Sequence, residues 1–405
     1  MNMMLDMKRI RQRSIKLTRL LMLGLPFFLP AYVLRFQIVH FPTTALEAYI
    51  AFVILFFTIA HGRKGWMKAS AMIGTWRSPI LFWSLVSFAS VFWSLNIISG
   101  LGLWRAFVLE PILVFFILRI VLETKEDRER FLHHLYFTVI GISIWSLWQF
   151  VTGHGIPSPW DVPIADGRRA TGLFPFPNAV ALFVVPICAY AAARFSKRKE
   201  WLSGLTFLAG LLAVVLAKSD GGLIALVSAS IFALLFSSWG RKLAFIIFVV
   251  GGIIFATQPD IRATMVREVT FQTWSGQVRL TIWKETWEML KEHPVLGAGF
   301  AGYPAVFVEY HKATYIEIFQ YPHTILFNVW SETGIFGVLA FGWILFAWAR
   351  IAPRESKIAT FAVIIAILIH GLVDVPYFKN DLAMLFWILI FLTTTTRIDV
   401  KEGHG

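Results

Sequence analysis

The chain has 405 residues, of which 57% are hydrophobic, 16% aromatic and only 15% charged, with a mean hydropathy of +0.68. A soluble chain carries about a quarter charged residues, so an ordinary globular protein is excluded. The net charge of +13 does not point to nucleic acid, because the Lys and Arg residues gather in short connections between apolar runs.

Apolar runs near 20 residues recur along the whole length. They are continuous rather than alternating, so the spans are helices and not strands of a barrel. The expected fold is all-α and polytopic, one transmembrane domain over 1–405. About twelve spans are expected, near 19–34, 43–60, 78–95, 104–121, 131–151, 177–194, 201–217, 222–238, 242–257, 324–349, 358–375 and 382–396. Met1 to Arg19 is basic, and no small-residue cleavage site follows the first run, which reads as an uncleaved signal-anchor. Trp is abundant, as aromatic belts at two interfaces require. Cys188, the only cysteine, lies inside an apolar run, which excludes an intrachain disulfide and a Cys-based metal site.

Charge orients these spans. One side collects the basic residues of Lys8–Arg19, Arg63–Arg77, Arg119–Arg130, Arg194–Lys199, Arg241–Lys242, Arg350–Lys357 and Arg397–Lys401, about 25 of the 37 in the chain. Positive charge accumulates in the cytoplasm, so both termini are expected there. Two long loops then face outward, 151–176 and 258–322, the second carrying short amphipathic helices. There is no internal repeat, no low-complexity segment and no nucleotide-binding loop, so neither ATP nor a nucleotide sugar is the expected substrate.

The first outward loop ends Arg169-Ala-Thr-Gly172-Leu-Phe-Pro-Phe-Pro177-Asn178. Gly172 and the prolines set an irregular backbone, and Pro177 suits the first turn of the next span. Arg168 and Arg169 lie just outside the membrane. They are either headgroup arginines or a phosphate grip, since the planar guanidinium suits bidentate contact with phosphate oxygens. Lys218, in the turn before Asp220-Gly221-Gly222, either extends an anion site or is solvated. Arg105 and Glu110 read as a structural pair or an interface anchor.

In the second loop Trp283, Trp287 and Leu290 recur at i, i+4 and i+7, an amphipathic helix with Lys284, Glu285, Glu288, Lys291 and Glu292 on its polar face. Arg279, four residues before Trp283, projects from the apolar stripe; either it snorkels from the first turn of the helix or it points into a protein-lined anionic pocket, the reading favoured here. His293-Pro294 stops that helix, with His293 as its cap. Gly297, Gly299 and Gly302 then offer a close-approach surface for a ligand.

His323 opens the tenth span, at a helix N-terminus whose dipole disfavours the imidazolium. A neutral imidazole suits a general base, and an interfacial histidine bonded to headgroups is the bland alternative. Asn328 and Glu332, at i and i+4, are expected to satisfy each other inside the bundle, and Gly334 and Gly337 to mark close helix packing. His370 and Asp374 share one face near the outer end of span eleven, as a structural pair or as part of a site. No cluster has metal-ligand spacing, and no Ser-His-Asp triad is present.

Three of these motifs together resemble the O-antigen ligase/O-antigen polymerase superfamily. They are Arg169-x-x-Gly172-x-Phe174-x-x-Pro177-Asn178; Arg279-x-x-x-Trp283 followed by His293-Pro294-x-x-Gly297-x-Gly299; and His323 with Glu332-x-Gly334-x-x-Gly337. The similarity runs from about Arg169 to Asp374 and keeps the motifs in order. One departure is Thr324, where the family usually has asparagine. The resemblance implies a glycosyltransferase of the bacterial cytoplasmic membrane, acting at its outer face without metal, nucleotide or other cofactor. The donor would be an undecaprenyl-pyrophosphate-linked glycan, and the acceptor a glycolipid or glycan. Arg169 and Arg279 would grip the pyrophosphate and His323 would act as base, with Arg168, Asn178, Lys218, Gly297 and Gly299 lining the substrate. Membrane lipid is the expected surrounding partner and nucleic acid is not one. A polymerase joining lipid-linked repeat units shares these motifs. A lipid-linked oligosaccharide flippase is the rival from another class, although transporters place polar features near the midplane rather than at one surface.

Overall fold

The computed structural model describes residues 2–38, 41–72 and 74–394; Arg397 and Lys401, counted above among the cytoplasmic charges, lie outside the described residues. Helix α1 (Asn2–Phe28) runs through a short 3-10 turn into the antiparallel strands β1 (Arg35–Ile38) and β2 (Phe41–Thr44), in register from Arg35↔Thr44 to Ile38↔Phe41. This hairpin is the departure from the expected all-α fold; strands of four residues are too short to declare a period in the sequence. There follow α2 (Ala45–Ala71), α3 (Arg77–Ser90), α4 (Ile97–Trp104), α5 (Glu110–Val121), α6 (Lys125–Thr152), α7 (Pro177–Arg198), α8 (Trp201–Leu216), α9 (Asp220–Leu234) and α10 (Ser238–Thr257). The long polar segment folds as α11 (Pro259–Val269), α12 (Trp274–Glu292) and α13 (Tyr303–Phe307). The chain then closes with α14 (Ile325–Ile351), α15 (Lys357–His370) and α16 (Asn380–Thr394).

In their described residues the apolar segments expected from the sequence overlap helices, the one at 104–121 lying on α4 and α5 joined through a π-turn. Among the described residues seven helices are long and apolar enough to cross a membrane, while α8, α9, α15 and α16 are shorter apolar helices. The chain is a multi-pass, almost wholly helical membrane protein.

Its centre is α7, nearly all of whose residues are buried against α8, α9 and α15. At the other extreme α10 exposes Phe245, Phe248 and Ile253 along most of its length, as a helix at the lipid-facing edge does. Between α4 and α5 a π-turn over Arg105–Leu109 takes carbonyls out of α-register, and the Tyr377 hydroxyl donates to Phe107 O at 2.8 Å. Arg105 reaches both Glu110 (3.4 Å) and Glu47 (3.0 Å), the structural pairing expected for it. Glu47 also closes a capping box with Thr44 at the start of α2 and accepts from Asn380 at 3.0 Å.

Helix α14 is broken at Gly334, where φ is 70° and ψ −175°. The segment 295–301 fills the break. Ala298 N donates to Ser331 O (2.6 Å) and Ile335 N to Val295 O (3.2 Å), while Trp330 and Trp93 donate to the Pro294 and Leu296 carbonyls. Glu332 accepts from the backbone of Ala301, and the Asn328 amide nitrogen has no partner, so the expected Asn328–Glu332 pair is not formed. A main-chain donor brought in by the wedge wins over a neighbour on the same helix face. The Gly297 and Gly299 Cα atoms press against the backbones of Ser331 and Ser94, which leaves room for no Cβ.

A methyl group at Gly334 would lie 2.0 Å from Val295 O, on a backbone at positive φ. Gly334→Ala is expected to cost about 1–3 kcal/mol from backbone strain alone, lowering the melting temperature of the detergent-solubilised protein by several degrees. Gly342→Ala, further along α14 with nothing within 4 Å, is the control that should melt as wild type does; equal melting of the two variants would refute the wedge.

Candidate active site

One end of the bundle gathers the start of α7, the ends of α8 and α15, the helix α12 and the approach to α14. The geometry there is built from Arg169 outward. Its Nε donates to Ala217 O (2.9 Å), its Nη2 to Asn178 Oδ1 (2.9 Å) and Lys218 O (3.1 Å), and its face lies 5.0 Å from the Trp160 ring. Burial lowers the Arg169 guanidinium, Asp220 works against it and Arg279 adds to it, so the two arginines share one electrostatic field. Asn178, in the first turn of α7, passes the connection on: its Nδ2 is 3.5 Å from Asp374 Oδ2.

Asp374 sits in the connection between α15 and α16, 2% exposed, with Oδ1 accepting from Val375 N. His323 Nδ1 lies 3.7 Å from the same oxygen, within ion-pair reach but beyond a hydrogen bond, and is shielded without a hydrogen-bond partner. Burial alone would raise the Asp374 carboxyl; His323 foremost, then His370 and Arg279, hold it below the ordinary carboxylate range. Asp374 is the site residue that sequence reasoning left undecided. Its signal was an ionisable side chain four residues beyond His370 at a span end. His370 does not bond to it through the ring, whose Nδ1 is unpartnered; the two meet through Asp374 N and His370 O at 3.0 Å.

Arg279 completes the ring. Its Nε donates to Val373 O (2.9 Å), the residue before Asp374, and its Nη1 to Ser275 Oγ (2.7 Å). Trp283, one turn on, donates to Pro322 O at 2.9 Å, next to His323. His323 has positive φ (51°) and stands between the Phe319 and Tyr321 rings. Thr324, the departure from the usual asparagine, donates to Gly371 O (3.1 Å) and so ties the start of α14 to the end of α15. Arg169, Arg279, Asn178 and His323 are thus brought together around Asp374.

The other residues expected to line the substrate make contacts within the protein. Arg168 caps the end of α6 by donating to Phe150 O and Val151 O, and also donates to Val162 O within its own loop. Lys218 gives its carbonyl to Arg169 while its side chain stays exposed. Gly297 and Gly299 belong to the wedge in α14. The buried face of α12 is Ile282, Thr286, Met289 and Leu290 rather than the Trp283–Trp287–Leu290 stripe. A second small core containing Tyr303, Phe307 and Ile316 covers that face, and Trp287 packs toward Phe327 and Trp330 of α14.

Nothing in the residue pattern singles out Gln149. Fully buried on α6, it accepts from Thr171 N (3.1 Å) and Gly172 N (2.8 Å) and donates to Gly155 O (2.7 Å) and Gly172 O (3.0 Å). It therefore holds the loop that delivers Arg169. A different group, Glu129, His133 and Glu200, converges near the far end of α7, but Arg194 already bridges both carboxylates at 2.8 and 2.9 Å.

Two guanidiniums, a histidine and a buried carboxylate thus converge at one end of a multi-pass helical bundle. Residues 205–342 match the family model described as O-Antigen ligase, a segment that supports a place for the chain in the O-antigen ligase superfamily. The match contains Lys218, Arg279 and His323; Arg169, Asn178 and Asp374 lie outside it and join the site through the fold. No curated protein matches the chain.

Gln149→Leu would strand two amide donors and two carbonyl acceptors, each worth about 1–3 kcal/mol when buried unpaired. Accelerated proteolysis within 153–172 is the expected outcome, and an unchanged cleavage rate would mean that Gln149 does not organise this loop.

Proposed function

We propose that this protein transfers a glycan from an undecaprenyl-pyrophosphate carrier to an acceptor hydroxyl at the outer face of the bacterial cytoplasmic membrane, with inversion at the anomeric carbon. The observation that carries this reading is the convergence of Arg169, Arg279 and the His323–Asp374 couple at one end of the bundle. The charge distribution along the sequence supports the outward orientation.

The chemistry follows from the groups left free. Arg169 commits Nε and Nη2 to the protein and Arg279 commits Nε and Nη1, so one amino group of each remains for a ligand. Two guanidiniums in a half-buried site complement the charge that builds on the leaving pyrophosphate as its bond to the anomeric carbon breaks. Asp374 faces His323 Nδ1 and favours the tautomer with the proton there, leaving Nε2 to take the proton of the attacking hydroxyl. The acceptor oxygen forms the new glycosidic bond, and the electron pair of the broken bond stays on the phosphate oxygen. The donor is already activated, so no nucleotide is consumed.

A flippase is disfavoured by the broken helix, the feature that transporters use for binding at the midplane. At Gly334 the freed backbone groups are taken by segment 295–301 rather than left for cargo. Ligase and polymerase differ in the acceptor, which the anion-binding ring does not select.

Glycan transfer in proteoliposomes, from undecaprenyl-pyrophosphate oligosaccharide with and without a lipid A–core acceptor, tests the reading. Arg169→Ala, Arg279→Ala and Asp374→Asn should each lower turnover by about 10²–10³-fold while the protein remains inserted and monodisperse. Transfer requiring the acceptor indicates a ligase, and lengthening of the carrier-linked glycan without it indicates a polymerase. Normal turnover by either arginine variant would remove the pyrophosphate clamp.

A further inference from the structure

Outside this ring one histidine is held in a way that only its charged form can satisfy. His311 Nδ1 is 2.8 Å from Glu285 Oε2, and its Nε2 is 2.8 Å from Ile316 O. Both partners are acceptors, and a neutral imidazole carries a single N–H. The imidazolium satisfies both contacts, whereas the neutral ring would set one lone pair against another. Glu285 is equally committed, its other oxygen accepting from Lys312 N (3.0 Å) and Ala313 N (3.2 Å). The two side chains are only 10% and 13% exposed.

The clasp has a definite place in the fold. Glu285 and Trp283 lie on α12 with Arg279. Glu285 ties down the start of the segment 311–322 and Trp283 its end, at Pro322 beside His323. Ala313 and Ile316 between them enter the small core with Ile282 and Met289. The helix that carries one arginine of the ring therefore also carries both anchors of the segment leading to His323.

We propose that Glu285 and His311 are a positioning pair for the candidate active site, holding segment 311–323 on α12 only while His311 is protonated. The inference rests on the transferase reading for what is positioned, but not for the clasp itself. Facing the imidazole are Glu285 from α12 and the Phe307 ring from α13, at 5.4 Å. Its own segment adds Glu309, Tyr310 and Lys312, with Tyr310 bonded to Glu292 and against His293. Burial works against the charge, but the Glu285 and Ile316 hydrogen bonds outweigh it and raise His311 above the ordinary histidine value. The sign follows: the clasp is complete below that ordinary value and is lost as pH rises through the raised one.

Hydrogen exchange of the full-length protein in detergent, corrected for the intrinsic effect of pH, reads the clasp without turnover. Wild type should protect 312–322 at pH 6 and lose about tenfold of that protection by pH 8. His311→Gln should show the weaker protection at both values. Glu285→Gln, whose oxygen can keep the two amides while its NH2 donates to Nδ1 of a neutral ring that itself donates from Nε2 to Ile316 O, should keep its protection at both pH values. In the transfer assay the clasp predicts a fall in kcat on the alkaline side, absent from His311→Gln, with the donor KM unchanged because the arginines stay in place. Protection in wild type that ignores pH, or that neither variant alters, overturns the proposal. Exchange behaving as described in a protein that transfers no glycan keeps the clasp and discards the transferase reading.

Discussion

In hydrocarbon every backbone donor and acceptor must find a partner within the protein, and this requirement governs how α14 can be broken. Gly334 takes the helix out of register about a third of the way along α14, and the chain meets the cost with another piece of backbone. Segment 295–301 enters as a wedge and exchanges hydrogen bonds with residues on both sides of the break, while Glu332 turns its carboxylate onto the wedge rather than into lipid. The placement of α12 depends on this. The wedge begins where α12 ends, at His293, so the amphipathic helix with Arg279 is tethered to the one irregular point of the bundle.

From that anchorage the site is assembled by carbonyl groups as much as by side chains. Arg169 is fixed by Ala217 O and Lys218 O, and Arg279 by Val373 O, each a carbonyl at or just beyond the end of an apolar helix. Helix C-termini leave such carbonyls unsatisfied and carry partial negative charge, so they hold guanidiniums in place without neutralising them as a carboxylate would. Among the described residues the positions of both arginines are set without a direct carboxylate partner. Asp374, the buried carboxylate of the ring, faces histidine and asparagine rather than being spent on either arginine in a direct ion pair.

How much of this could be read from the residues depends on the kind of information each feature carries. The apolar segments were legible because a hydrocarbon slab imposes length and composition locally. Arg169 and His323 were legible as polar groups at span ends, and Arg279 as a charge on the apolar stripe of an amphipathic loop helix. Gln149 was not, since one amide on a helix gives no sign that it will bond a loop more than 20 residues away. At Gly297 and Gly299 backbone packs against the bare Cα atoms: an absent side chain signals a close approach, but not what makes it. The i, i+4 rule failed for Asn328 and Glu332 because it counts neighbours on one helix, and the wedge brought a stronger donor from outside. The face of α12 was misplaced by about one residue because two tryptophans outweighed Ile282 and Met289 in an amphipathic count, whereas packing followed the partner surfaces available.

The joint at Glu47 bears on how such a chain is made. Its carboxylate, near the start of the second helix, meets Asn380 at the head of the last one, and the carbonyl displaced by the π-turn at Phe107 waits for a hydroxyl 270 positions later. Helices leave the ribosome in order, so the first third of the protein enters the bilayer with these polar atoms still lacking their final partners. Until α16 arrives the early helices must be shielded by the insertion machinery or bridged by water. A chain arrested after α15 would therefore be an unfinished seam rather than a smaller version of the protein, with its polar lining turned toward lipid and open to quality-control proteolysis.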